Sequence, residues 1–231
     1  MHIEVQHRPA YALAVVHLQP GETVVGEAGA MVSMDTHLKM ETKAASKPDQ
    51  GMMGALFSGL KRLVAGESFF QNRYTAEGRP GVVTFAPTLV GDIETYELAG
   101  KNLMIQSSSY LCSGPDVQID TKWGGAKSFF GGEGLIMLKA SGAGPIAFNS
   151  FGAIKRVDVA GDFTIDTGHI VAFEDTLKFT VAKFGDSWKS FLFGGEGLVC
   201  KFKGNGALFI QTRNPQAFGQ LIGPLLPKRQ A

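Results

Sequence analysis

Two short glycine-rich stretches are the first place to look for chemistry. Ser128–Leu135 reads SFFGGEGL and Phe191–Leu198 reads FLFGGEGL, so Gly131, Gly132, Glu133 and Gly134 are answered by Gly194, Gly195, Glu196 and Gly197. A loop that cradles phosphate needs a strand, a glycine turn and then a helix whose N-terminal amides face the anion. Here each loop runs into a β-like stretch instead, Leu135-Ile-Met-Leu-Lys or Leu198-Val-Cys-Lys-Phe. Neither ends in Lys-Ser/Thr, and the central Glu would repel a phosphate. The motif therefore reads as a tight turn or bulge needing positive φ. Two carboxylates serve as an acid/base pair only when held within roughly 5–10 Å of each other. Nothing in the spacing demands that, and Glu133 and Glu196 are expected to satisfy backbone amides or Arg side chains at related junctions.

The remaining reactive types are scattered. His2, His7, His17, His37 and His169 show no ligand spacing, and no Cys pair flanks them. No Gly-x-Ser-x-Gly elbow exists. Cys112 and Cys200 lie in apolar runs, where a buried, inert thiol is the expected state. No catalytic residue, cofactor or metal site is expected. Two thiols make no disulfide framework, which points to a reducing compartment. With no presequence pattern and no apolar run long enough to span a bilayer, the expected location is cytoplasmic.

Composition narrows the partners. A formal charge of +1 argues against a nucleic-acid binder that works by gross electrostatics. Seventeen Phe against four Tyr and two Trp favour dry packing over stacking platforms for bases. The 44% hydrophobic content allows an ample core.

The elements that must position these residues are strands. Leu103-Met-Ile-Gln, Val117-Gln-Ile-Asp, Ile146-Ala-Phe-Asn, Phe163-Thr-Ile-Asp and Leu177-Lys-Phe-Thr-Val are short β-forming runs bounded by turn residues. The echo extends beyond the glycines. Trp123 and Trp188 precede the two motifs, and Gly142-Ala-Gly-Pro-Ile-Ala-Phe matches Gly204-Asn-Gly-Ala-Leu-Phe-Ile. A third, diverged copy runs from Pro20 through Ser68-Phe-Phe to Gly81-Val-Val-Thr-Phe. The expected fold class is all-β, with three tandem units related by pseudo-threefold symmetry and one or two short helices. The units are placed at 1–99, 100–160 and 161–231.

The first unit carries an insertion near 51–66. On a helical wheel Met52, Met53, Leu56, Phe57, Leu60, Leu63 and Val64 fall within an arc of about 140°, flanked by Lys61 and Arg62. This is the candidate interaction surface, for a neighbouring subunit, a protein partner or a membrane surface. A second helix is expected after Asn214, an N-cap followed by Pro215 at the first helical position.

Pro20-Gly-Glu-Thr-Val-Val-Gly-Glu-Ala-Gly-Ala-Met, Gly66-Glu-Ser-Phe-Phe, Pro87-Thr-Leu-Val-Gly-Asp-Ile and the doubled Phe-Gly-Gly-Glu-Gly-Leu resemble the altered-inheritance-of-mitochondria protein 24 family, also catalogued as domain of unknown function 124. The resemblance covers nearly the whole chain. It implies β-sandwich units related to the tryptophan RNA-binding attenuation protein, three to a chain, and brings no established catalytic residues. The expected function is a non-enzymatic, oligomeric β-scaffold that binds a protein or small ligand, with a trimer as the first expectation. The alternative, by fold analogy alone, is an RNA- or small-ligand-binding module.

Overall fold

The structure, a computed structural model, describes residues 1–44, 70–120, 136–183 and 198–227. Sixteen strands account for most of them. β1 (His2–Gln6) and β2 (Leu13–Leu18) form an opening hairpin, followed by β3 (Thr23–Glu27), β4 (Met31–Met34), β5 (Leu38–Ala44), β6 (Phe70–Ala76) and β7 (Gly81–Phe85). A second series holds β8 (Ile93–Ala99), β9 (Leu103–Gln106), β10 (Tyr110–Ser113), β11 (Val117–Asp120) and the long β12 (Met137–Asn149). The last series holds β13 (Ile154–Asp166), β14 (Ile170–Glu174), β15 (Lys178–Lys183) and β16 (Leu198–Gln211). One α-helix, α1 (Pro215–Ile222), follows. It begins as the sequence predicts, with the Asn214 side chain accepting from the amides of Gln216 and Ala217. No helix among the described residues is long and apolar enough to cross a membrane.

The named strand pairs are all antiparallel, so short turns suffice to connect neighbours. β1-β2-β7-β4 make a four-stranded sheet. A twelve-stranded sheet runs β13-β16-β14-β9-β12-β10-β3-β6-β5, with β8 and β11 on β12 and β15 on β16. Long strands join its parts. β12 pairs with β9 and β11 along its first half, and with β8 and β10 along its second.

One local pattern occurs in each series. β4 on β7, β10 on β12 and β14 on β16 each shift register once, between Met31 and Ser33, Tyr110 and Cys112, and Ile170 and Ala172. Val32, Leu111 and Val171 are the extra residues of these bulges. The following turns also match: Asp35 N donates to Val82 O, and Gly114 N to Pro145 O. Their side chains obey the partner's chemistry. Asp35 Oδ2 accepts from Val82 N at 2.9 Å, and Glu174 Oε2 from Ala207 N at 3.2 Å. Pro145 has no N–H to give, and there the chain carries Gly114 instead of a carboxylate.

Among the described residues, three apolar clusters form the core. The first centres on Tyr74 and Phe85, the second on Phe148 and Phe209, the third on Phe173 and Phe202. Edge-on ring pairs lie in all three, at 5.5, 5.0 and 4.9 Å between centroids. Burying each such side chain is worth about 1.5–3 kcal/mol.

The series meet through backbone. β10 pairs with β3, Cys112 opposite Gly26, and β14 pairs with β9, Ala172 opposite Ile105. The residues leading into each series are tied in turn: Ala12 N donates to Gly91 O, and Asp92 N to Gly152 O. Ala153 N, with no further series to meet, donates to the Thr212 hydroxyl at 3.0 Å. Gly91 and Gly152 form a parallel bridge so close that a Cβ on Gly91 would sit 1.8 Å from Ser150 O.

Of the two breaks placed by sequence, the one at Gly161 falls within paired β-structure and the one at Gly100 falls at a turn. Gly161 lies inside β13, paired with Gly204, and Gly100 sits at the turn between β8 and β9. Both adopt positive φ, and at Gly161 this lets the strand bend while its ladder continues. The links between the strand series described above are residues 86–92 and 150–153.

Gly91→Ala should lower stability by about 3 kcal/mol or more, because backbone must move. Gly100→Ala has open space around its Cβ and should cost only the left-handed conformation, about 1–2 kcal/mol. Urea unfolding of the two variants checks the contrast.

Candidate functional site

The sequence-predicted residues Gly131, Gly132, Glu133, Gly134, Gly194, Gly195, Glu196 and Gly197 lie outside the described residues, as does the surface from Met52 to Val64. What the described residues bring together is a different set of polar groups, gathered where the strand series meet.

Glu174, at the end of β14, is 5% exposed. Its Oε1 accepts from the Tyr96 hydroxyl at 2.6 Å and from Lys101 Nζ at 3.1 Å, and its Oε2 from Ala207 N. Tyr96 comes from β8 and Lys101 from the β8–β9 turn, so one carboxylate ties the second series to the third. Beside it, Asn102 Nδ2 donates to Asp175 Oδ2 at 2.6 Å. Burial pushes the Glu174 carboxyl up, but the bonds from Tyr96, Lys101 and Ala207 outweigh it, and its pKa falls below the ordinary value. Burial, then the neighbouring carboxylate, raise the Tyr96 phenol to about 12.

A second buried carboxylate holds the opening hairpin. Asp92, 2% exposed, accepts from Arg8 Nε at 2.8 Å and Nη2 at 3.0 Å, and from Ile93 N at 2.9 Å. Arg8 Nη2 also reaches Glu94 at 2.8 Å. Such a two-pronged guanidinium–carboxylate pair fixes geometry as well as charge.

At the β10–β3 joint the Tyr110 hydroxyl lies 3.1 Å from Val25 O and 3.0 Å from Ser113 Oγ, and accepts from Gln71 Nε2 at 3.1 Å. Burial raises its pKa. Glu27, half-buried at the end of β3, is raised to about 7 by burial.

Chemically these groups are committed to one another. Glu174 is ionised and fully bonded, and Lys101 is paired with it. Cys112 and Cys200 are buried, each thiol raised to about 12, the opposite of an activated nucleophile. Among the described residues no buried side-chain nitrogen or oxygen lacks a partner. An open groove of about 320 Å³ borders the Glu174 cluster, lined by Lys101, Arg156, Asp158, Thr176 and Asn205 among others. Arg156 lies over the Phe209 ring at 6.0 Å and pairs with Asp158.

Sequence reasoning missed Arg8, Tyr96, Lys101 and Glu174, because partners seventy to ninety positions apart leave no local pattern. Asp92 carried one weak signal, a Gly-Asp step in the turn that follows Pro87 between strands.

These features define an all-β protein whose buried charges brace the meeting points of successive strand series. The chain belongs to the family described as Mitochondrial biogenesis AIM24, whose model matches residues 3–213. It is similar to an uncharacterized protein of Streptococcus pyogenes serotype M6, 28% identical over 231 residues, covering 98% of this chain and 92% of that one. The fold is similar to the X-ray crystal structure of a Streptococcus pyogenes protein, with a TM-score of 0.77 and 24% identity, covering 97% of this chain and 99% of that chain.

Two pH responses follow. For Glu174, with its folded pKa lowered, the stabilisation is present above the unfolded carboxyl value and lost as pH falls through the folded one. Glu174→Gln should therefore cost about 1–3 kcal/mol at pH 7, with the gap to wild type closing in acid. For Glu27 the sign reverses, because its folded pKa of about 7 exceeds the ordinary carboxyl value of 4.5. Ionisation opposes folding as pH rises between those values. Glu27→Gln should stabilise by about 1–2 kcal/mol above pH 7, after allowance for solvent screening, and leave stability unchanged below pH 4.5. Denaturant midpoints across pH measure both.

Proposed function

We propose that the chain is a non-enzymatic β-scaffold: three tandem units related by pseudo-threefold symmetry, assembling as a cytoplasmic homo-oligomer that presents a surface to a protein or small-ligand partner. The units are taken as the three strand series, each built on a bulged strand and a long return ladder. A trimer is the first expectation. The observation that carries the reading is the use of the buried carboxylates. Asp92 and Glu174 both lie at meeting points between series, fully bonded to groups from other elements. Glu174 borders the open groove, but it accepts three hydrogen bonds and its pKa is lowered, the reverse of the raised carboxyl that a general acid needs.

A small-ligand reading is favoured by one feature, the groove beside Lys101, Arg156 and Asn205, which offers both signs of charge. An RNA role has only the fold analogy behind it. The inserted segment near 51–66, with its apolar arc and Lys61 and Arg62, is the proposed contact for a protein partner. A membrane surface is the weaker choice, because two basic residues contribute only about 1 kcal/mol each there.

Light scattering should give a multiple of the 24.7 kDa chain mass at micromolar concentration. Native purification should yield a bound protein or small molecule and no excess absorbance at 260 nm. A monomer would defeat the scaffold reading, and co-purifying nucleic acid would favour the alternative. Flotation on anionic vesicles that depends on residues 51–66 would move the contact to the membrane.

A further inference from the structure

The two joints between strand series follow one rule. A short bulged strand of the later series lies against a strand of the earlier one: β10 on β3 and β14 on β9. The residue just past the bulge sets the register, Cys112 opposite Gly26 and Ala172 opposite Ile105.

The chain also carries one unused half of each kind. β4 has the same bulge and the same place on its ladder, but it ends the four-stranded sheet. The 162–166 half of β13 stands where β3 and β9 stand, paired with β16 on one side, and β13 ends the other sheet. The two halves are not paired with each other.

Exposure marks both as uncovered. Leu111 and Val171, the bulge residues of the two formed joints, are 0% exposed, while Val32 is 59% exposed. Met31 is 37% exposed where Tyr110 and Ile170 are fully buried. On the other edge Thr164 is exposed, whereas its counterparts Val25 and Met104 are buried. An apolar strand left at a sheet edge is a template for pairing with another chain.

We infer that β4 of one copy pairs antiparallel with residues 162–166 of the next copy, placing Ser33 opposite Ile165 and Met34 opposite Thr164. The occupant is a second copy of this chain, because the joint repeats the two that the chain already builds internally. The inference rests on the self-assembly proposed above and names the surface that performs it. The contact is head-to-tail, so each copy uses both edges and the assembly closes into a ring or extends as a filament.

Val32→Lys tests it with little risk to the fold, since the side chain is largely exposed in the single chain. The variant should keep the wild-type circular dichroism and raise the concentration for half-dissociation at least tenfold. Met34→Cys with Thr164→Cys should cross-link between copies under mild oxidation, giving ladders on non-reducing gels. Met34→Cys with Ile165→Cys, slipped by one residue and thus on opposite faces, should not. A wild-type monomer would overturn both the joint and the assembly. A wild-type oligomer unaffected by Val32→Lys would overturn the joint alone, as would cross-linking confined within single chains.

Discussion

The constraint on which the rest depends is that the bulged strands β10 and β14 cannot complete their backbone bonding within their own series. Each is satisfied on one side by its own long ladder and on the other by a strand of the series before, β3 or β9. Because strand side chains alternate with period two, a slip of one residue at such a joint would turn a whole core face outward. The joints therefore need more than hydrophobic attraction, which is non-directional and tolerates slippage. The bulge supplies part of the answer. It lets Leu111 and Val171 turn fully inward while Cys112 and Ala172 keep the ladder in step.

The buried polar groups make sense as consequences of that need. Glu174 is expensive to bury alone, yet it collects a phenol, an ammonium and a backbone amide from other elements. Removing any one of these leaves a charge under-bonded, so the cluster penalises every arrangement but one. Tyr110 acts in the same way with neutral groups, its hydroxyl within bonding distance of Val25 O across the joint. The glycines at the joints are fixed by space instead of charge: a Cβ on Gly26 would meet the Phe85 ring at 2.4 Å.

Much of the fold was legible in the sequence, and the limits have physical causes. Short β-forming runs between turn residues located β9, β11, β12, β13 and β15, because local alternation records which face is buried; the bulged strands β10 and β14 were not among those runs. Asn214-Pro215 announced α1, because capping is a local matter. The unit boundaries were less legible. Gly100 and Gly161 carry the same letter whether a glycine ends a strand or bends it, and only the ladder to Gly204 distinguishes the two. The bracing clusters were not legible at all, since Tyr96 and Glu174 are 78 positions apart and meet only through the fold. The doubled glycine motif was the strongest signal for kinship, yet it says nothing of these clusters.

The chemistry of β4 separates a finished edge from an unfinished one. A strand that faces water permanently is usually protected by charge, proline or shortness, since exposed apolar edges invite aggregation. The protein applies that protection elsewhere: β5, the last strand of the larger sheet at its other end, carries Lys39 and Glu41. β4 reads Met-Val-Ser-Met, with no charge and no proline. Its counterparts Tyr-Leu-Cys-Ser and Ile-Val-Ala-Phe are equally apolar, and they are fully buried. β4 therefore has the composition of a covered strand in the position of an uncovered one. That mismatch is resolved if the surface seen on a single chain is not the surface exposed in the working assembly.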